Sequence, residues 1–319
     1  MTDLIADIGG TNLRFALIEN GRIVREASFG WPQPPSISAA ARQFLDGTTV
    51  TAAAFAVAAP ITGGDILFMP NVATGDGHGW SFSLKQLKTE LGVSRLEVVN
   101  DFTAIALAIP HLAETDRVQI GDEGRAAPHA PIGVMGAGTG LGVSALVWTG
   151  STYTALAAEG GHVTMPAISD RESDVLALLR KKFTHVSAER LCSGQGLVNL
   201  YESLQLLDRR EPERRSPAEI STLALSRSDP ACVEAVEMFC AMLGTVAGNL
   251  ALTLGARGGV YIAGGIVPKI LPLFRHSRFR KRFTEKGRYH DYQAAIPTFV
   301  VTHDNPAYLG LMNLLKDHG

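Results

Sequence analysis

Near the start of the chain an acid, two glycines and a hydroxyl follow an apolar run: Asp7, Gly9, Gly10 and Thr11, with Asn12 and Arg14 just beyond. Glycines at a sharp turn let backbone N–H groups approach an anion closely. Thr11 adds a donor, and Asp7 offers a carboxylate to a bound cation or to its waters. A plain tight hairpin asks for the same glycines, so the stretch alone leaves a phosphate cradle and a simple turn equally open. A second polar pair, Asn100 and Asp101, ends the short apolar run 96–99. The carboxyl end of a buried strand is where open α/β sheets gather ligand chemistry, although Asp101 would serve equally as a helix cap.

The opening pattern returns in mid-chain. A strand-like run at 132–135 leads into Gly136, Ala137, Gly138, Thr139 and Gly140, then into a second apolar run at 141–148 and a Thr149–Gly150 turn. Two strand–glycine turn–strand–hairpin units suggest a duplicated domain, and two such turns facing each other would grip a polyphosphate from both sides. A third turn, Gly264–Gly265, follows the run 259–263 and suits either a backbone approach to a nucleoside or a plain strand-to-helix turn. No GxxxxGK[ST] occurs, so the common P-loop is excluded as the cradle.

The elements that must position these residues alternate. Residues 4–7, 13–18 and 23–29 read as strands, the last two joined through Asn20–Gly21, so the first glycine turn links strand to strand. A dinucleotide-binding crossover would instead lead into a helix. Ser36 or Ser38 caps a short helix ending near Leu45, and 52–58 is a small-residue strand. Ser83 and Gln86 have capping-box spacing before a Leu84, Leu87, Leu91 stripe stopped by Gly92. Ser216-Pro217-Ala218-Glu219 and Asp229-Pro230 start helices, the second running to about Leu254 with Gly244 and Gly248 four apart. Phe274, Phe279 and Phe283 interleave with the basic stretch 275–288, which predicts one buried side and charges facing water.

With 319 residues the chain exceeds most single cores, so two domains or two lobes are expected. A formal net charge of −2 gives no electrostatic case for nucleic acid or a membrane surface. Cys192, Cys232 and Cys240 form no CxxC spacing and read as reduced core residues. Nothing reads as a membrane span or a leader, so a cytoplasmic protein is expected.

Together these residues resemble the bacterial ATP-dependent glucokinases, in the superfamily that joins sugar kinases, actin and heat-shock chaperone ATPases. The likeness runs nearly end to end through six ordered motifs: DIGGTNLR (7–14), VVNDFTA (98–104), GAGTGLG (136–142), EGGH (159–162), SAERLCSGQGL (187–197) and AGGIVP (263–268). The resemblance implies an α/β fold of two ribonuclease-H-like (actin-like ATPase) domains with an interdomain active-site cleft. A small domain would comprise 1–111 plus 303–319, and a large one 112–302. It implies phosphorylation of glucose by MgATP at the 6-hydroxyl, the first step of glycolysis, and a homodimer.

Carried over residue by residue, the resemblance makes Asp101 the general base and gives the sugar hydroxyls to Asn100, Glu159, His162 and Glu189. Gly9, Gly10, Thr11, Asn12, Gly136, Gly138 and Thr139 would surround the phosphates, with Gly264 and Gly265 beside the adenosine. Asp7 would lie near Mg2+, acting through water. Asn71 is a further sugar contact, although the polar segment after it, to Gly79, is longer than the family's usual link. The cysteine-rich zinc motif of the related repressor-type sugar kinases is missing, so no structural zinc is expected. A broader-specificity hexokinase, a sugar-sensing regulator that keeps the kinase fold and a chaperone-like ATPase are the alternatives.

Overall fold

The apolar run at the start of the chain forms strand β1 (Thr2–Ile8) in the computed structural model, which describes residues 2–10, 12–31, 35–69, 72, 79–122 and 124–316. Thr11 and Asn71 lie outside the described residues. The chain divides into two compact units. One comprises Met1–Leu112, Ala155–Ala157 and His303–Gly319, the other Ala113–Thr154 and Ala158–Thr302.

In the first unit β1 is followed by β2 (Asn12–Glu19), β3 (Arg22–Gly30), β4 (Ala52–Val57), the pair β5 (Ile66–Met69) and β6 (Trp80–Ser83), and β7 (Arg95–Asn100). The main sheet has the order β3-β2-β1-β4-β7, antiparallel through β2 and parallel across β1, β4 and β7. Asn20 and Gly21 both have positive φ, as a tight primed hairpin turn requires. Among the described residues β5 and β6 pair with each other alone.

Strand β4 explains why the sheet is so small in its side chains. Its Ala53, Phe55 and Val57 join a cluster with Phe15, Phe44 and Leu87, while Ala54 and Ala56 join another with Ile5, Ala104, Tyr308 and Leu311. Both faces are covered, so alternate residues serve two cores and neither leaves room for bulk. The second cover is the pair of helices Asp101–Ala108 and Pro306–Lys316. They approach so closely that a Cβ on Gly310 would strike the Ala104 carbonyl. Arg95 fastens the same terminal helix by donating to Leu314 O at 2.9 Å and Leu315 O at 3.0 Å.

The second unit contains β8 (Arg117–Ile120), β9 (Ile132–Ala137), β10 (Leu141–Trp148), β11 (Tyr153–Ala158), β12 (Val260–Ala263) and β13 (Thr298–Val301). Its sheet runs β11-β10-β9-β12-β13-β8. The order β11-β10-β9-β12-β13 repeats β3-β2-β1-β4-β7, with β8 added antiparallel at the edge. The duplication suggested by the two glycine turns is thus a duplication of sheet topology.

Helix Pro230–Leu254 is long and apolar enough to cross a membrane by length and composition, but 72% of that apolar window is buried in the unit's own core. A Cβ on Gly244 or Gly248 would strike the Phe279 or Phe283 carbonyl, so the two glycines seat helix Phe279–Thr284. That helix corrects one expectation. Phe274, Phe279 and Phe283 are buried as predicted, yet Arg282 does not face water: it is 1% exposed and donates Nη1 to Glu172 Oε1 at 2.6 Å and Nη2 to Oε2 at 3.1 Å. A buried guanidinium needs such a partner, and helix Asp170–Lys182 supplies it.

Candidate functional site

In the first unit the glycine turn and the Asn100–Asp101 pair leave the same edge of one sheet. Ile8 and Asn100 flank Val57 in register across parallel strands, so the two features stand two strands, roughly 10 Å, apart. Gly9 closes the turn by donating to Asn12 O at 2.9 Å, and the Trp31 indole donates to Gly9 O at 3.1 Å. Trp31 therefore pins the turn from outside.

Asp7 lies on the same face of β1 as Ile5 and stands opposite Arg14 on β2. Arg14 Nη1 reaches its Oδ2 at 3.2 Å. Burial nevertheless raises the Asp7 carboxyl above the usual aspartate value; the Arg14 charge and hydrogen bond only partly offset it. An anion kept partly desolvated beside a glycine turn is suited to a cation.

Asp101 is not the cap that its position allows. Asn100 is: its Oδ1 accepts from Phe102 N at 2.9 Å and Thr103 N at 3.3 Å, and its Nδ2 donates to Ala59 O at 3.3 Å. Asp101 becomes the first residue of the helix, with Oδ1 accepting from Phe102 N at 2.9 Å. The helix end favours a negative charge there. Asn100 spends its acceptor on the helix, which leaves the amide nitrogen as its means of meeting a hydroxyl.

In the second unit the two remaining glycine turns lie side by side, because Gly136 pairs with Ala263 across parallel strands. Gly138 donates to Gly140 O at 2.8 Å and accepts from Gly194 N at 2.8 Å, while Ile266 N donates to Ala137 O at 3.2 Å. Thr139 is exposed at the tip. The glycines divide into two kinds. Gly264 has φ +83° and a Cβ there would strike the Ala137 backbone, so the fold itself demands glycine. At Gly138 and Gly265 a Cβ would meet nothing within 4 Å, and neither has a left-handed backbone. Open space over a pinned backbone is what a phosphate and a nucleoside need, so these turns fit ATP. For magnesium the donor set is one carboxylate, Asp7. No group of three or more metal-ligating side chains occurs among the described residues, which suits a cation carried on phosphates and met through water.

Glu159, His162 and Glu189 come together on two short 3₁₀ turns, Gly160–His162 and Ala188–Arg190. Ala188 N donates to Val163 O at 2.8 Å, and Thr164 bridges to Ser187. Glu159 and His162 are 55% and 60% exposed at the side chain and 4.0 Å apart, leaving both able to bind a polar ligand. Glu189 Oε2 accepts from Leu141 N at 3.0 Å, directly after the Gly136–Gly140 turn. The carboxylate thus ties this cluster to the Gly136–Gly140 glycine turn, a link that sequence spacing cannot show. The three cysteines are buried; burial pushes Cys232 and Cys240 each up to about 12, and Cys192 also upward, so none is a ready nucleophile.

The glucokinase family profile matches residues 4–318. The chain is 47% identical over 321 residues to a glucokinase of Paramagnetospirillum magneticum, covering 98% of this chain and 97% of that one. It is 45% identical over 311 residues to a glucokinase of Tolumonas auensis, covering 96% and 94%. The crystal structure of a glucokinase from an Antarctic psychrotroph superposes with a TM-score of 0.85 at 35% identity, covering 99% of each chain. A ROK family glucokinase from Streptomyces griseus, solved with glucose and AMPPNP, shares the fold at a TM-score of 0.66 and 18% identity. Matched over nearly its whole length by both sequence and fold, the chain belongs to the glucokinase family.

Proposed function

We propose that this sugar kinase transfers the terminal phosphoryl group of MgATP to the 6-hydroxyl of glucose, giving glucose 6-phosphate and ADP. The observation that carries the reading is Asp101, displaced from capping duty by Asn100 and standing at the edge of the sheet that also bears the Asp7–Gly10 turn. Asp101 accepts the proton of the attacking hydroxyl as the new O–P bond forms. The bond from the transferred phosphorus to the β-phosphate oxygen breaks, and ADP leaves. Asn100, Asn71, Glu159, His162 and Glu189 hold the other hydroxyls, a donor and acceptor set suited to a hexose.

Gly9, Gly10, Thr11, Asn12, Gly136, Gly138 and Thr139 surround the phosphates, and Gly264 and Gly265 lie beside the adenosine. Magnesium, met by Asp7 through water, supplies neutralisation of the phosphate charge. The AMPPNP and glucose held by the Streptomyces griseus protein support the same ligand pair here. We read the enzyme as a cytoplasmic homodimer serving glycolysis, with small molecules rather than nucleic acid or membranes as its partners; the net charge of −2 supports the last point.

The test is glucose-dependent ADP release, coupled to a dehydrogenase, for the native protein and Asp101→Asn. We expect kcat to fall about 10²–10⁴-fold, with KM for glucose and the thermal midpoint nearly unchanged. Near-native turnover of the variant would sink the assignment.

A further inference from the structure

A cavity of about 380 Å³ lies in the second unit, lined by Arg125, Ala127, Arg257, Tyr292, Ala295 and Ile296. Its walls are the residues that lead into parallel strands. Ala127 and Arg257 precede β9 and β12, and Ala295 and Ile296 precede β13. The glycine turns at Gly136–Gly140 and Gly264–Gly265 leave the opposite, carboxyl ends of β9 and β12. The length of six-residue β9, roughly 20 Å, separates the cavity from them.

The walls are held by backbone. Ala127 N donates to Arg257 O at 2.9 Å and Arg125 N to Ala295 O at 3.2 Å. Arg280 fixes the same backbone by donating to Ala294 O and Ile296 O, each at 2.8 Å. The side chains of Arg125 and Arg257 are exposed, and neither has an acidic partner among the described residues. Asp291, next to Tyr292 in the chain, has its exposed carboxylate 3.1 Å from His290 Nδ1 and is not among the residues that line the cavity. Tyr292, 37% exposed, brings a ring and a phenol to the same space.

We propose that this cavity is a second ligand site, which takes a small phosphomonoester with its phosphate on the Arg125 and Arg257 guanidinium groups. Two exposed arginines line the cavity, their positive charges favour an anion there, and their planar donor forks match phosphate oxygens. The volume is that of a small organic ligand, with room beyond a bare phosphate for a carbon chain beside Tyr292. Within the second unit the site stands at the opposite end of β9 and β12 from the Gly136–Gly140 and Gly264–Gly265 turns, so it binds whether or not those turns hold a ligand.

The experiment is calorimetric titration of the full chain with glycerol 3-phosphate, inorganic phosphate and glycerol, each repeated with glucose and a non-hydrolysable ATP analogue already saturating. The native protein is expected to bind glycerol 3-phosphate at one site in both states, more tightly than inorganic phosphate, and not to bind glycerol. Arg125→Gln with Arg257→Gln is expected to weaken binding by roughly tenfold or more, while KM for glucose and for ATP stay native. Both arginines are exposed, and an unchanged thermal midpoint checks that the variant folds. Binding that disappears when glucose and the analogue are present, or that survives both substitutions, overturns the site. Inorganic phosphate binding as tightly as the ester overturns the ester assignment. These readouts do not depend on turnover, so they stand apart from the test of the kinase reading.

Discussion

Replacing Gly138 and Gly264 by alanine separates two reasons for a glycine in the same pair of adjacent turns. At Gly138 the added methyl would meet nothing within 4 Å, and the backbone is not left-handed. In the ligand-free protein the substitution therefore only narrows the unfolded ensemble, worth about 0.4–1 kcal/mol, and should raise Tm by roughly 1–4 °C. The turn cannot retreat from a ligand, because Gly138 is held through its N–H to Gly140 O and through its carbonyl to Gly194 N, both at 2.8 Å. The methyl must then displace the nucleotide. Loss of one charge-assisted hydrogen bond, about 1.5–3 kcal/mol, predicts a rise in KM for ATP of roughly 10–150-fold, with KM for glucose unchanged. Gly264→Ala should behave oppositely. Its left-handed backbone and the Ala137 carbonyl in the methyl's path predict a loss of roughly 2–5 kcal/mol and a Tm lower by about 4–20 °C before any ligand is added. Differential scanning fluorimetry and initial rates against each substrate measure both. A Gly138→Ala protein that melts well below native, or one whose KM for ATP is native, would refute the reasoning.

Breaking the buried Glu172–Arg282 pair with Glu172→Gln should cost about 3–5 kcal/mol in urea unfolding, because it strands a guanidinium that is 1% exposed. Burial, the largest influence on Glu172, pushes its carboxyl up, but the Arg282 bond and the Ile168 and Ser169 amides together hold it below the usual 4.5. A depressed carboxyl contributes stability above its unfolded value and loses it as pH falls, so the native protein should destabilise below about pH 4.5 more steeply than the variant does. Asp7 carries the opposite sign. Its raised carboxyl means that ionisation costs stability as pH climbs past the ordinary 3.8, with the full cost present at neutrality. Asp7→Asn should therefore raise the ligand-free Tm at pH 7, while the magnesium needed for half-maximal rate rises roughly 10–100-fold. A lower Tm at pH 7 would contradict the first half, and a native magnesium requirement the second.

Much of this layout can be read from the chain because local chemistry dictates it. Asn20–Gly21 can hardly do anything but turn, and Ser216 with Glu219 closes a reciprocal box, with the Glu219 carboxylate 2.7 Å from Ser216 N. Where a residue has two uses, sequence does not choose between them. Ser83 and Gln86 have the same spacing, yet the Gln86 side chain donates to Glu90 at 2.8 Å, while Asp65 from across the loop takes Lys85 N at 2.8 Å. Asn100 and Asp101 are both able caps, and the Ala59 carbonyl, some forty residues away in sequence, helps to fix Asn100 in that role. Helix Gly194–Leu207 and the strands β5, β6 and β8 carried no clear signal, being respectively buried nearly all round and only four residues long. The meeting of Glu189 with Leu141 N is a tertiary event between segments that only the fold brings together.

The seating of helix Pro306–Lys316 on helix Asp101–Ala108 sets an order of events at the ribosome. The first unit's sheet can pair as soon as β7 emerges, but one of its faces stays open to water until residues 303–316 appear, after the whole second unit has been made. At ordinary translation speeds that gap is roughly 10–40 s. During it Ile5, Ala54, Ala56 and Ala104 lack their apolar cover, and the helix that begins at Asp101 has nothing holding its outer face. On the role proposed for Asp101, a nascent chain would gain a supported acceptor site only once residues 303–316 have been made, and a nascent-chain holdase would find its target in that uncovered sheet.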